Sequence, residues 1–133
     1  MKLIISLLAI IISTAVFAVG PPVPEEFIGI WVPVKNSCES KNKLQITKNN
    51  VTLINSSDEK QFGNIDICYS CEGGIRYSGE VVWLTPEFNS GGMSPFFVYL
   101  NANEETGITV VDIQDHELKR RFTLHNLKLK KCK

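Results

Sequence analysis

The feature that most constrains the fold is a series of short apolar runs, rich in β-branched and aromatic residues, that end at turn-forming residues. Such runs predict β-strands, because these side chains pack well on a pleated sheet. The runs cover residues 27–34, 44–47, 51–54, 65–68, 75–77, 81–84, 96–100, 108–113, 121–124 and 127–130. A helical turn is expected only around residues 114–119. About eight strands joined by short turns therefore predict an all-β antiparallel sandwich or barrel.

The length of the chain favours a small barrel with a filled interior. With 133 residues, the chain has room for one domain. Short strands make a low barrel whose inward side chains can fill it. The seven Phe, two Trp and three Tyr residues are expected to serve mainly that core, so a roomy ligand cavity is not favoured.

The N-terminal segment is typical of an export signal. Lys2 precedes an apolar run over residues 3–12, and Val16 and Ala18 satisfy the small-residue cleavage rule. This run is too short to span a membrane comfortably, so no membrane anchor is expected. The sequence predicts a signal peptide over residues 1–18, an extended Pro-rich lead-in over 19–26 and a single barrel domain over 27–133. The mature protein is expected in the periplasm or outside the cell.

The four cysteines lie in the exported part and are predicted to form disulfides, since their number is even and the compartment is oxidising. Three pairings are possible. Cys38–Cys132 is favoured because it closes a loop of nearly the whole domain, which leaves Cys68 and Cys71 as a local bridge. The C-x-x-C spacing also occurs in redox and zinc sites, but no helix is expected to begin at Cys68.

Charge is balanced overall, with 14 basic and 14 acidic residues, which argues against nucleic acid as the main partner. The distribution is uneven, because residues 119–133 hold seven basic and no acidic residues. Either this segment folds back on an acidic body, which is the favoured interpretation, or it presents a basic face to a partner.

Residues for catalysis are sparse, so the chain is predicted not to be an enzyme. His116 and His125 are the only histidines, and neither a G-x-S-x-G nor an H-E-x-x-H motif occurs. A glycosidase pair such as Glu80 and Glu87 would need a cleft that usually requires a larger protein. The segment over residues 112–117, which holds three carboxylates and a histidine, is interpreted as a solvated turn and not as a cation site. No metal or cofactor is predicted.

Gly29-Ile30-Trp31 resembles the G-x-W motif that opens the first strand of lipocalins and other calycins. The resemblance implies that Trp31 plugs one end of the barrel and that an arginine near the end of the chain, Arg120 or more specifically Arg121, packs over it. The same resemblance implies an alternative function, the carriage of a small apolar ligand.

A second segment, Gly73-Gly74-Ile75-Arg76-Tyr77 followed by Trp83, resembles the S-G-x-x-Y motif and the next strand of bacterial periplasmic inhibitors of C-type lysozyme. Those inhibitors are exported eight-stranded barrels with a disulfide that reaches the C-terminus. Gly73 replaces the serine of the motif, and Thr85-Pro86-Glu87 stands where the family has its lysine.

The lysozyme-inhibitor resemblance implies a non-enzymatic protein that binds and inhibits a protein partner, and a cell-wall hydrolase is the partner class that it suggests. Recognition is expected in loops carried by the rigid sheet. The residues expected to contact the partner are Gly73, Gly74, Arg76, Tyr77, Phe88 and Met93.

Overall fold

A computed structural model describes residues 22–69, 81–87 and 93–133. The described strands are β1 Gly29–Pro33, β2 Lys43–Ile46, β3 Val51–Ile54, β4 Glu59–Phe62, β5 Asp66–Tyr69, β6 Val82–Thr85, β7 Phe96–Leu100, β8 Ile108–Ile113 and β9 Lys128–Lys131. One α-helix, α1, covers His116–Arg121. Short 3-10 turns lie at Glu25–Phe27 and Ala102–Glu104.

The nine described strands form one antiparallel sheet in the order β4-β3-β2-β1-β9-β8-β7-β6-β5. Strands that pair are neighbours along the chain, except that β1 pairs with β9 and so joins the two ends of the domain. The sheet curls into a half-barrel. The predicted all-β, antiparallel, barrel-like fold is thereby confirmed.

Strands β4 and β5 behave as one strand with a bend. Eight antiparallel pairings lead from β4 around the sheet to β5, so the two strands run in the same direction. Only Gly63, Asn64 and Ile65 separate them, and Asn64 has a left-handed φ of 48°. β4 pairs with β3 and β5 with β6. Counted as one bent strand, they give the predicted number of about eight.

The core lies between the inward faces of these strands. Burial alternates along β7 and β8, so that Phe96, Val98, Val111 and Ile113 are fully buried. Phe96 meets Phe62 of β4 edge to face, with ring centroids 4.9 Å apart. Each such large apolar side chain contributes about 1.5–3 kcal/mol on burial, which makes this core the main source of stability.

The predicted strand over residues 121–124 is wrong. α1 ends at Arg121, and turns cover residues 123–124. The first turn of the helix is capped by Asp115, whose Oδ1 accepts a hydrogen bond from the Leu118 N–H at 2.8 Å. Phe122 and Leu124 follow the helix and are both buried. Their two-residue spacing gives the same alternation of buried and exposed residues as a strand. The helical turn expected at 114–119 is confirmed, displaced by two residues.

The Cys38–Cys132 disulfide is confirmed, with a Cα–Cα distance of 5.7 Å and a sequence separation of 94. The backbone N–H of Cys132 also donates to the Ile30 carbonyl at 2.8 Å. The bridge therefore fastens the loop after β1 to the end of β9. Cys68 is disulfide-bonded as well, and Cys71 lies outside the described residues.

Several predictions concern parts of the chain outside the described residues: the signal peptide over 1–18, the beginning of the lead-in and the strand over 75–77. Within the described ranges, no helix has the length and apolar character needed to cross a membrane.

Thr109 of β8 offers a test of the core. Its side chain is fully buried, and its Oγ1 has no hydrogen-bond partner among the residues that the structure describes. Thr109→Val keeps the shape and removes a buried polar group without a partner, so we expect the free energy of unfolding to rise by about 1 kcal/mol. Urea unfolding followed by circular dichroism measures it. Thr109→Ser keeps the hydroxyl and loses a methyl group, so this variant should be less stable than wild type. If Thr109→Val were also less stable than wild type, Thr109 Oγ1 would not be the unpaired buried group that the structure shows.

Candidate functional site

The structure describes one of the six residues predicted to contact a partner. Met93 follows an undescribed range and has a side chain that is 88% exposed. The other five lie outside the described residues: Gly73, Gly74, Arg76, Tyr77 and Phe88.

Trp31 of β1 is deeply buried. Its side chain is 2% exposed, and its Nε1–H donates to the Phe27 carbonyl at 2.9 Å. Gly29, two residues earlier, has a φ of 146°, and a Cβ there would lie 2.8 Å from Cε of Lys131. Glycine is therefore the residue that suits this position, which accounts for the Gly-x-Trp pattern locally.

Arg121 ends α1 and joins it to the β3–β4 loop. Its guanidinium donates to Asp58 and, at 3.2 Å, to Glu117. The hydrogen bond to Asp58 is the main reason that the pKa of Arg121 is raised. The guanidinium also lies 5.3 Å from the centroid of the Phe122 ring. These contacts link α1 to the β3–β4 loop through Arg121. The calycin resemblance implied a different position for Arg121, over Trp31.

An aromatic cluster lies on the outer side of the sheet, opposite the core. Trp83 of β6 is paired in register with Tyr99 of β7, and their ring centroids are 4.9 Å apart. Phe97 stacks on Tyr99 at 6.3 Å and lies 6.4 Å from Trp83. All three side chains are half-buried. We call these three residues the outer aromatic face.

The polar tip of Trp83 has no acceptor among the described residues. Its Nε1 is buried and makes no hydrogen bond to any of them. A buried indole N–H normally finds a partner, and leaving one unsatisfied has a cost of about 1–3 kcal/mol. An acceptor brought by another molecule would remove that cost if binding moved the groups that cover the indole N–H.

Sequence reasoning singled out Trp83 through a resemblance but missed Phe97 and Tyr99. The run 96–100 is apolar throughout, so that composition does not separate its two faces. The usable signal is the two-residue period: once Phe96 is placed in the core, Phe97 and Tyr99 must point outward. The same period assigns Trp83 to the outer side, between Val82 and Leu84, which are buried.

Register extends the outer aromatic face across the sheet. Trp83 lies opposite Cys68 on one side and Tyr99 on the other, Tyr99 lies opposite Val110, and Val110 lies opposite Lys128. This row therefore crosses five strands, from an edge of the sheet to β9. With strands about 4.8 Å apart, it spans about 19 Å, a length suited to a macromolecular contact.

The basic C-terminal segment folds back on the acidic body in part, which is the interpretation favoured from sequence. Arg121 pairs with Asp58, and Lys128 Nζ donates to Glu105 at 2.6 Å. Lys131 Nζ donates to a backbone carbonyl, that of Glu26. Among the described carboxylates, none pairs with Lys119, Arg120, Lys130 or Lys133.

The three carboxylates over residues 112–117 all have contacts within the fold. Asp115 caps α1, Glu117 pairs with Arg121, and Asp112 Oδ1 lies 3.6 Å from His125 Nδ1. The same Nδ1 accepts the Ile113 N–H at 3.0 Å, so His125 supports the backbone of β8. Within the described ranges, no three His, Cys, Asp or Glu side chains are grouped as a metal site requires.

No protein-family model matches the chain, and no curated protein or solved structure matches it either.

Proposed function

We propose that this is an exported, non-enzymatic protein that binds and inhibits a protein partner, with a cell-wall hydrolase as the partner class. The observation that carries the proposal is the outer aromatic face. Trp and Tyr are enriched among the residues that dominate binding energy at protein interfaces. Here Trp83 and Tyr99 lie side by side on a rigid sheet, and the Trp83 N–H has no acceptor in the described part of the chain.

The filled interior supports binding on the outside over carriage inside. Inward side chains from both halves of the sheet are fully buried, among them Leu44, Leu53, Leu84 and Val98. A lipocalin-like carrier would need an enclosed apolar cavity of about 300 Å³ or more. Carriage of a small apolar ligand remains the second candidate, favoured by the buried Trp31 beside Gly29.

The connection between β5 and β6 carries the segment that resembles the lysozyme inhibitors, Gly73–Tyr77. Both strands border the outer aromatic face, since Cys68 and Trp83 are opposite each other in register. Segments that connect the strands of a rigid sheet often carry recognition residues. We therefore include Arg76 and Tyr77 in the proposed partner surface.

The proposal is tested with the oxidised protein lacking residues 1–18 and a panel of purified cell-wall hydrolases that includes a C-type lysozyme. Calorimetric titration and turnover of cell-wall substrate are measured on the same samples. We expect one hydrolase to bind with a stoichiometry of one to one and to lose activity. Absence of inhibition across the panel, with a small apolar molecule co-purifying, would support the carrier instead.

Variants then locate the surface. We expect Tyr77→Ala and Trp83→Ala each to weaken hydrolase binding about tenfold or more, which is the typical loss for an important interface aromatic. Tyr69→Ala is the matched control, because this exposed tyrosine lies on the other face of β5 from Cys68. Equal loss in all three variants, or a loss of folding with Tyr77→Ala, would place the contact elsewhere.

A further inference from the structure

A groove lies on the outer side of the domain where β1 ends and β9 begins. Pairing continues past the strands, since the Val34 N–H donates to the Lys128 carbonyl at 2.9 Å. On one side, the chain turns at once, with the Asn36 N–H donating to the Pro33 carbonyl at 2.8 Å. On the other side, the chain between α1 and β9 turns at residues 124–127. Between these turns is a cavity of about 520 Å³, which we call the basic groove.

The floor of the basic groove is apolar and exposed. Val34 and Leu127 are each 42% exposed, and they are two of the four large hydrophobic residues described as exposed. Both line this one cavity, together with Pro33. Exposed apolar side chains that cluster, rather than scatter singly, indicate a surface that binds something.

The walls carry amide groups. Asn42 and Asn126 line the groove, and the side chain of Asn36 joins them. An asparagine amide can donate and accept at once, which matches the N–H and C=O groups of a peptide backbone. The rim is also pre-ordered, because the Cys38–Cys132 disulfide holds the loop that carries Asn36 and Asn42.

The charge at the rim is positive. Lys35 and Lys128 line the groove, and Lys130 lies on the same outer face of β9 as Lys128. Glu105 is the carboxylate that pairs with Lys128; among the described residues, no carboxylate pairs with Lys35 or Lys130. This is a local excess of positive charge on an otherwise acidic body.

The groove is continuous with the outer aromatic face. A second cavity of about 340 Å³ shares Asn126 and Lys128 with it and is lined by Tyr99 and Val110. Tyr99 belongs to the outer aromatic face, and Val110 and Lys128 continue its row in register. A partner seated on Trp83 and Tyr99 can therefore extend a segment into the basic groove.

We propose that the basic groove binds a short extended segment of the protein partner in which a leucine-sized side chain is flanked by carboxylates. The apolar side chain packs on Val34 and Leu127, the carboxylates face Lys35 and Lys130, and the asparagine amides bond the segment's backbone. The protein nature of the occupant rests on the proposed function; its acidic and apolar chemistry rests on the groove.

The test uses three blocked pentapeptides added to the oxidised protein lacking residues 1–18 at low salt: acetyl-Gly-Glu-Leu-Glu-Gly-amide, its Lys-Leu-Lys counterpart and its Glu-Gly-Glu counterpart. Amide chemical shifts are followed by NMR. We expect the first peptide to shift the amides of Val34, Lys35 and Leu127. Each of the other two should bind about fivefold more weakly or not at all, since exposed ion pairs and a partly buried side chain each contribute modestly.

Two variants sharpen the result. Lys35→Glu should reduce binding of the acidic peptide and favour the Lys-Leu-Lys peptide, and Leu127→Ser should weaken binding of both. Lys48→Glu, the same charge change on an exposed lysine in the β2–β3 turn, is the control and should change neither. Chemical-shift changes that are the same for the acidic and the basic peptide would overturn the proposal. So would changes confined to residues outside the groove.

Two further outcomes separate this proposal from the proposed function. If a hydrolase is inhibited equally by wild type and Lys35→Glu, and the acidic peptide does not bind, the groove proposal fails and the inhibitor function stands. If the acidic peptide binds as expected and no hydrolase is inhibited, the groove stands with a different protein as its partner. Tighter binding of a disaccharide that contains a uronic acid than of the acidic peptide would assign the groove to a glycan and overturn the proposal.

Discussion

Replacing Cys38 and Cys132 together by alanine is expected to lower the free energy of unfolding by about 3–5 kcal/mol. The bond spans 94 residues, nearly the whole described domain. Closing so long a loop restricts the unfolded chain strongly, and the entropy model assigns about 4–5 kcal/mol to it. For a domain with a total stability of about 5–15 kcal/mol, this is a large share.

Urea unfolding of the oxidised protein and of the double variant, followed by far-ultraviolet circular dichroism, gives the difference directly. The wild type unfolded in the presence of a reductant loses both disulfides, so its free energy of unfolding should lie below that of the double variant by about the contribution of the second bridge. A Cys68→Ala/Cys71→Ala variant is the matched control: a bridge between residues three apart would contribute only about 2 kcal/mol in the same model. Equal losses in the two double variants would contradict the loop-entropy explanation.

The same substitution has a local consequence at the basic groove. The disulfide holds the loop after β1 against the end of β9, where Val32 is completely buried. Without the bond, that loop keeps only its backbone and side-chain hydrogen bonds, such as the one from Asn36 Nδ2 to Ser40 Oγ at 3.0 Å. Stability and groove geometry are thus linked through one covalent bond.

Most strands could be predicted from sequence because half-buried strands show their burial as alternation. Leu44 and Ile46 in β2, and Val111 and Ile113 in β8, face the core while their neighbours do not. Strand β4 carried no such signal. Three of its four residues are exposed, and only Phe62 is buried, so its place in the sheet depends on backbone pairing with β3.

The segment after β8 shows the converse error. Phe122 and Leu124 are both buried, two residues apart, as in a strand. The Asp115 side chain nonetheless starts a helix just before them, and turns then bring both side chains into the core. Alternation reports which residues are buried; it does not report which backbone conformation buries them.

The candidate site was less predictable than the fold for a related reason. Trp83, Phe97 and Tyr99 lie in runs that are apolar on both faces, so that composition assigns all of them to the core. The basic groove joins residues such as Val34 and Leu127, which are far apart along the chain and adjacent only through the β1–β9 pairing. Such a site depends on register, and register comes from the folded sheet.

Trp31→Ala is the second substitution with a large expected effect. Trp31 is one of the largest fully enclosed side chains, 2% exposed, and it packs against the core next to Phe27 and Leu44. Truncating a buried tryptophan leaves a cavity that its neighbours fill only in part, with a loss of about 3–5 kcal/mol. Urea unfolding measures the loss, and a change below about 1 kcal/mol would contradict the enclosed position of the side chain.

Replacing each of the two tryptophans by phenylalanine measures what the indole hydrogen bond contributes, because phenylalanine keeps an aromatic ring and lacks the N–H. At Trp31, phenylalanine removes an N–H that donates to the Phe27 carbonyl at 2.9 Å and leaves that carbonyl without its partner. At Trp83, it removes a buried N–H that has no acceptor within the described ranges. We therefore expect Trp31→Phe to cost about 1–2 kcal/mol more in unfolding free energy than Trp83→Phe. Equal costs would mean that Trp83 finds an acceptor within the free protein, which would remove one support for a partner at the outer aromatic face.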